Sequence, residues 1–134
     1  MQKLFSLTFY DRSNGDDGEG FHIGLFKSYE EAKAVELRYR KEIAGFKDCP
    51  CDAEISGVPV VGVYTGETNV YRYVGWNETG EFDAVDVVES NCYIHLPEAE
   101  AAYKKAQAET PRQEWALDCH TIGECDWEEG FARL

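Results

Sequence analysis

Hydrophobic positions recur along this chain in two rhythms. Between Lys3 and Tyr10, Leu4, Ser6 and Thr8 alternate with Phe5, Leu7 and Phe9, which predicts a strand. Phe21 to Phe26 predicts a second strand, antiparallel to the first across the polar, glycine-rich loop Asp11 to Gly20. From Ser28 to Gly45 the rhythm changes. Ala32, Val35, Tyr39, Ile43 and Phe46 make one apolar stripe of a helix, with Lys33, Glu36, Arg40 and Lys41 falling towards the other side. Ser28 and Glu31 form a capping box, Glu30 and Glu31 suit the positive end of the dipole, and Gly45 suits the helix end. Glu36 and Arg40 are an i,i+4 pair in the favourable order, and Leu37 lies off the stripe. Asp52 to Ser56 predicts a short third strand centred on Ile55. Gly57 to Thr65 is apolar and β-branched, with Pro59 marking an edge strand or an extended linker.

The order then recurs. Val70 to Trp76 predicts a strand, Asn77 to Gly80 a tight turn, and Glu81 to Val88 a strand that Asn91 to Ile94 continues or bends. Leu96, Ala99, Tyr103, Ala106 and Thr110 form a second helical stripe, with Pro97 at its start and Pro111 at its stop. Trp115 to Ile122 predicts a last strand. Matching positions in the two halves (Leu4 with Val70, Tyr10 with Trp76, Ser28 with Leu96, Ile55 with Ile122) are offset by 66 to 68 residues. The pattern therefore predicts a single α+β domain over residues 1–134. It consists of two tandem β-β-α-β units, about 3–57 and 70–122, and a tail, 123–134. The expected sheet is antiparallel, with both helices packed on it.

Composition adds two constraints. Hydrophobic residues make up 43% of the chain, too many for disorder and enough for a core. Twenty-six acidic side chains against 13 basic ones give a net charge of −13. That charge opposes nucleic acid and anionic membranes as partners and favours a basic protein. No stretch is apolar enough to span a bilayer, and the N-terminus reads as a strand and not a signal peptide. Five cysteines without a disulfide-framework spacing predict free thiols and a cytoplasmic location.

A set of short matches extends this reading. Ile23-Gly24-Leu25-Phe26, Glu30-Glu31-Ala32, Gly45-Phe46-Lys47-Asp48 and Trp127-Glu128-Glu129-Gly130-Phe131 carry it. They resemble a family of small, uncharacterised bacterial proteins with a β-β-α-β unit and a C-terminal W-x-E-G-F motif. The resemblance covers about half of the chain. In that family the W-x-E-G-F tail follows the third strand directly, whereas here Gly57 to Thr121 intervenes. The family has no activity to carry over. Members suspected of immunity or accessory roles imply a function of that kind.

Candidate chemistry is sparse. Cys49-Pro50-Cys51 is too tight for a zinc knuckle, and Cys92-x-x-His95 crosses a strand end, so no metal is expected, with Cys92 and His95 the nearest candidates. Cys119 and His120, adjacent on a strand, point to opposite faces and cannot form a nucleophile–base pair. Asn14 to Glu19 lacks the ligand order of a calcium loop. No phosphate-binding glycine motif occurs. Aromatic residues beside carboxylates remain, so the candidate binding residues are Tyr71, Tyr73, Trp76, Asp83, Asp86, Trp127 and Glu128. The leading expectation is a non-enzymatic, cytosolic interaction protein without cofactor: an acidic inhibitor or immunity-type protein that covers a basic partner. The alternatives are a small regulatory or ligand-binding domain and a metal-binding protein using the Cys and His residues.

Overall fold

The strands and helices follow the two rhythms closely at one end of the chain and less closely at the other. The structure, a computed structural model, describes residues 2–11, 20–43, 47, 51–78 and 84–125. In chain order the elements are β1 (Lys3–Asp11), β2 (Gly20–Phe26), α1 (Tyr29–Glu42), β3 (Cys51–Val61), β4 (Asn69–Glu78), β5 (Ala84–Glu89), β6 (Cys92–Tyr93), α2 (Leu96–Glu109) and β7 (Glu114–Thr121). The chain divides into two compact units. One is Lys3–Val58 with Ile122–Leu134, and the other is Met1–Gln2 with Pro59–Thr121.

In the first unit β1 pairs antiparallel with β2, with a register shift between Leu7 and Thr8. Leu7, Phe9, Ile23 and Phe26 are buried from the strands, and Ala32 and Tyr39 meet them from α1. Phe9 and Tyr39 stack with ring centroids 6.0 Å apart. Each buried ring withdraws enough apolar surface to be worth about 2–3 kcal/mol. Helix α1 starts where the capping box predicts, since Glu31 N donates to Ser28 Oγ at 3.2 Å. It ends at Glu42, capped by Ile43, whose N–H donates to the Tyr39 carbonyl. Gly45, the expected stop, lies outside the described residues. After β7 the chain returns to this unit, where Gly123 N donates to Leu25 O at 2.8 Å. Gly24 makes room for that return, because a Cβ there would run into the Glu124 carbonyl.

Glu36 departs from its expected exposed position. It is buried, and both oxygens are taken: Lys33 Nζ donates to one and Arg40 Nε to the other, each at 3.0 Å. Burial by itself pushes a carboxyl up, but these two cationic donors outweigh it and hold Glu36 below its ordinary value. Arg40 also donates to the Cys51 carbonyl at 3.3 Å and lies over the Phe9 ring. Leu37 is exposed.

Where two separate segments are expected, Asp52 to Ser56 and Gly57 to Thr65, a single strand, β3, runs from Cys51 through Pro59 to Val61. Val60 N donates to Gln2 O at 2.9 Å. Adjacent amides point to opposite edges, so Pro59 lacks a donor on the other edge, where pairing begins only at Val60.

In the second unit β4 is central. All of Asn69 to Trp76 pairs antiparallel with β7 on one edge. The other edge carries β6 at Tyr71 and β5 from Val74 onward. Ser90 separates those two short strands. Its hydroxyl accepts from Tyr73 N at 2.9 Å, and its own N–H donates to Tyr73 O at 3.0 Å. The pairing of β6 with β3 is parallel, Val60 beside Cys92 and Val61 beside Tyr93. The expected antiparallel sheet of two β-β-α-β units is thereby corrected. The sheet is mixed, and the second half contains the extra strand β6. Alternation of side chains is the same in parallel and antiparallel pairs, so the pattern could not distinguish them. No helix among the described residues is long and apolar enough to cross a membrane.

Candidate functional site

The β4–β7 register sorts the aromatic and acidic residues onto two faces, because directly opposed residues share a face. On one face Tyr71 opposes Cys119, Tyr73 opposes Leu117 and Gly75 opposes Trp115. Helix α2 covers this face. Tyr73 is the centre of an aromatic cluster, with centroids 6.0 Å from Tyr103, 6.3 Å from Trp115 and 6.5 Å from Tyr93. Burial pushes the Tyr93 hydroxyl up from its ordinary value, and neighbouring Tyr73 and Glu98 add to the effect.

The opposite face carries Arg72, Val74 and Trp76 from β4, with Asp118, Ala116 and Glu114 opposite them on β7. Glu89, opposite Val74, and the exposed Val87 extend it onto β5. Trp76 is half-buried and donates from Nε1 to Glu78 Oε1 at 3.3 Å. Glu78, Glu89, Glu114 and Asp118 are all exposed. Of the ion pairs among the described residues, none involves Glu114 or Asp118.

One cation of this unit, Arg72, lies on this face itself and pairs with one of its carboxylates. Arg72 donates to Ser90 O at 3.0 Å and to Glu89 Oε2 at 3.2 Å. Arg112 donates to the Asp86 carbonyl and to the Pro111 carbonyl, both at 2.9 Å. Lys104 and Lys105 are on α2, where Lys105 approaches Glu109 to 4.0 Å. The result is a small apolar patch (Trp76, Val74, Ala116, Val87) flanked by carboxylates, one of which is paired with Arg72.

Asp86 marks one end of this face. The two steps from Gly75 to Asn77 on β4 oppose three steps from Val88 to Val85 on β5, so β5 carries a bulge. Asp86 takes it up with a φ of 53°, in the left-handed region that Asp tolerates better than a β-branched residue. Its carboxylate accepts from Asn77 Nδ2 at 3.3 Å. Asn77 Oδ1 in turn accepts from Gln113 N at 3.0 Å.

Of the residues picked out by pattern, Trp76 and Asp86 thus lie at this face and its end, whereas Tyr71 and Tyr73 belong to the other side of β4. Asp83, Trp127 and Glu128 lie outside the described residues. Glu114, Asp118 and Val87 were missed. Their signal was present in the alternation of Glu114, Ala116 and Asp118 with Trp115, Leu117 and Cys119. Cys92 is buried, and burial pushes its thiol up to about 11, partly offset by Arg72. His95 is exposed at the start of α2, and its side chain makes no capping bond. Among the described residues no group of three or more His, Cys, Asp or Glu is arranged to hold a metal ion. No protein-family model matches the chain, and neither a curated protein nor a solved structure matches it significantly. Trp127 to Phe131, which carry much of the resemblance to the small bacterial family, lie outside the described residues.

Proposed function

We propose that this chain is a non-enzymatic, cytoplasmic interaction protein of the acidic inhibitor or immunity type, and that it covers a basic surface of a partner protein. The observation that supports this reading is the end of the β4, β5 and β7 face that carries Trp76. A half-buried tryptophan there sits among Glu78, Glu114 and Asp118, with Glu89 paired to Arg72 on the same face, and Arg112 is bonded to backbone carbonyls. Tryptophan is the residue type that most often anchors an interface, and a rim of one sign steers and selects a partner of the other. Between Pro59 and Thr121 the only basic side chains are Arg72, Lys104, Lys105 and Arg112, against eleven acidic ones.

The test is direct titration of a basic protein captured by the full chain, comparing wild type with Trp76→Ala. The substitution is expected to weaken binding by roughly 2 kcal/mol, the scale of an interface anchor. Raising the ionic strength from low salt to about 0.3 M should weaken it further, because exposed charges are screened. Binding that is indifferent to both Trp76 and salt would refute the reading.

A further inference from the structure

Helix α2 meets the sheet through Ala99, which is buried, and through Ala102, Tyr103 and Ala106, which are half-buried. Alanine side chains are too short to close over large rings. Tyr73, Tyr93, Tyr103 and Trp115 accordingly all stay half-buried, each within a described element. Tyr73, Tyr103 and Trp115 stand at the corners of a triangle whose centroids are 6.0, 6.1 and 6.3 Å apart, and Tyr93 adds a fourth ring 6.5 Å from Tyr73. Their planes are inclined to one another by 31° to 64°, so these pairs do not stack face to face and part of each face stays open. Among the described residues the hydroxyls of Tyr73, Tyr93 and Tyr103 and the indole N–H of Trp115 donate to no protein group, which leaves these polar tips to water.

The first unit treats its rings differently. Phe9 and Tyr39 are fully buried and stacked at 7°, and the protein's own guanidinium groups lie over them, Arg40 at 5.4 Å from the Phe9 centroid and Arg38 at 5.4 Å from that of Tyr39. In the second unit no Lys or Arg among the described residues lies over any of the four rings. Lys104 and Lys105 are exposed on α2, Arg72 faces the other side of β4, and Arg112 is bonded to the Asp86 and Pro111 carbonyls. Ring faces are negative and attract a cation within about 6 Å. Glu98, exposed in the first turn of α2, is close enough to bear on the Tyr93 hydroxyl. We propose that Tyr73, Tyr93, Tyr103 and Trp115, with Glu98, bind a trimethylated lysine side chain of a partner protein. A plain ammonium would give up water that ring faces do not replace with hydrogen bonds. A trimethylammonium keeps the charge, has no N–H to satisfy and presents methyl groups to the rings. Tyr71 and Leu117, half-buried on the same face, offer an apolar path for the alkyl stem of the lysine. The site lies on the opposite side of β4 from Trp76, so it goes beyond the acidic face proposed above and stands without it.

The test titrates the full chain with acetylated trimethyllysine methylamide and follows the NMR signals of the Trp115 indole N–H and the Tyr73 and Tyr103 rings. A second ligand carries a tert-butyl group in place of the trimethylammonium, which keeps the shape and removes the charge. The charged ligand should shift these signals saturably, and the neutral one should bind at least about tenfold more weakly, as should the unmethylated lysine derivative. Tyr103→Leu should weaken binding of the charged ligand by a similar factor, and Tyr103→Phe, which keeps the ring, should retain it. Glu98→Gln should weaken it by about twofold or more, less so at high salt. Should Tyr103→Leu fail to fold, the comparison of the charged and neutral ligands on the wild-type chain still decides. Three results overturn the proposal: no saturable shift at Trp115, equal binding of the neutral ligand, or binding of the charged ligand that is indifferent to Tyr103→Leu in a folded variant. Choline, which has the same cation and lacks the lysine stem, should bind more weakly than the lysine derivative; tighter binding of choline would overturn the assignment to a lysine side chain.

Discussion

Trp115 lies flat over Gly75, its partner across the β4–β7 pair. A Cβ at Gly75 would sit 2.6 Å from Trp115 Cζ3, inside any tolerable contact. Glycine is thus selected here by a cross-strand ring and not by backbone conformation. Gly75→Ala should displace Trp115 and the Tyr73 and Tyr103 rings that pack on it, costing about 1–3 kcal/mol. Thermal or denaturant unfolding measures this. In a Trp115→Ala background the same glycine substitution should cost much less, and full additivity of the two would show that the contact does not matter.

Glu36 makes stability depend on acid pH. Its folded carboxyl titrates below the ordinary value of 4.5, so its contribution is complete above that value and is lost as pH falls through the lower folded one. Glu36→Gln should cost about 2 kcal/mol near neutrality, the scale of hydrogen bonds to a charged group. The variant should also lose less stability than wild type when acidified below about 4.5. Parallel pH profiles of melting temperature for the two proteins would contradict this.

The α1 cap predicts a smaller effect. Ser28→Ala removes the acceptor for Glu31 N and should cost about 1 kcal/mol, whereas Ser28→Asp should restore most of it. Chemical denaturation of the three proteins decides the matter.

Asp86 tests the bulge. Asp86→Val forces a β-branched residue into a φ of 53° and removes the acceptor for Asn77, and should cost about 1–3 kcal/mol. Asp86→Asn keeps an acceptor and tolerates the left-handed region, so it should be nearly neutral in the same unfolding measurement.

Local chemistry was legible from residues alone. The alternation in Lys3 to Tyr10, the capping box at Ser28 and the stripe through Ala32 and Tyr39 each state a local preference, and the structure follows them. Glu36 was legible in part. Ala32, Glu36, Tyr39 and Ile43 are spaced four, three and four, so Glu36 lies on a second line through the same stripe. Its charge argued for solvent, and only the donors Lys33 and Arg40, the latter also bonded to the Cys51 carbonyl, made burial tolerable.

What the sequence by itself determined is where both helices and most of the strands form and that acidic side chains outnumber basic ones two to one. Those follow from periodicity and composition, which are local or additive. Only the tertiary structure decided that β6 runs parallel to β3, that Tyr73 and Trp76 face opposite ways into different surroundings, and that β7 pairs with one edge of β4 while β5, with its bulge, pairs with the other. Those depend on which strand pairs with which and in what register. Strand partners lie tens of residues apart, and a period of two fixes only which residues share a face.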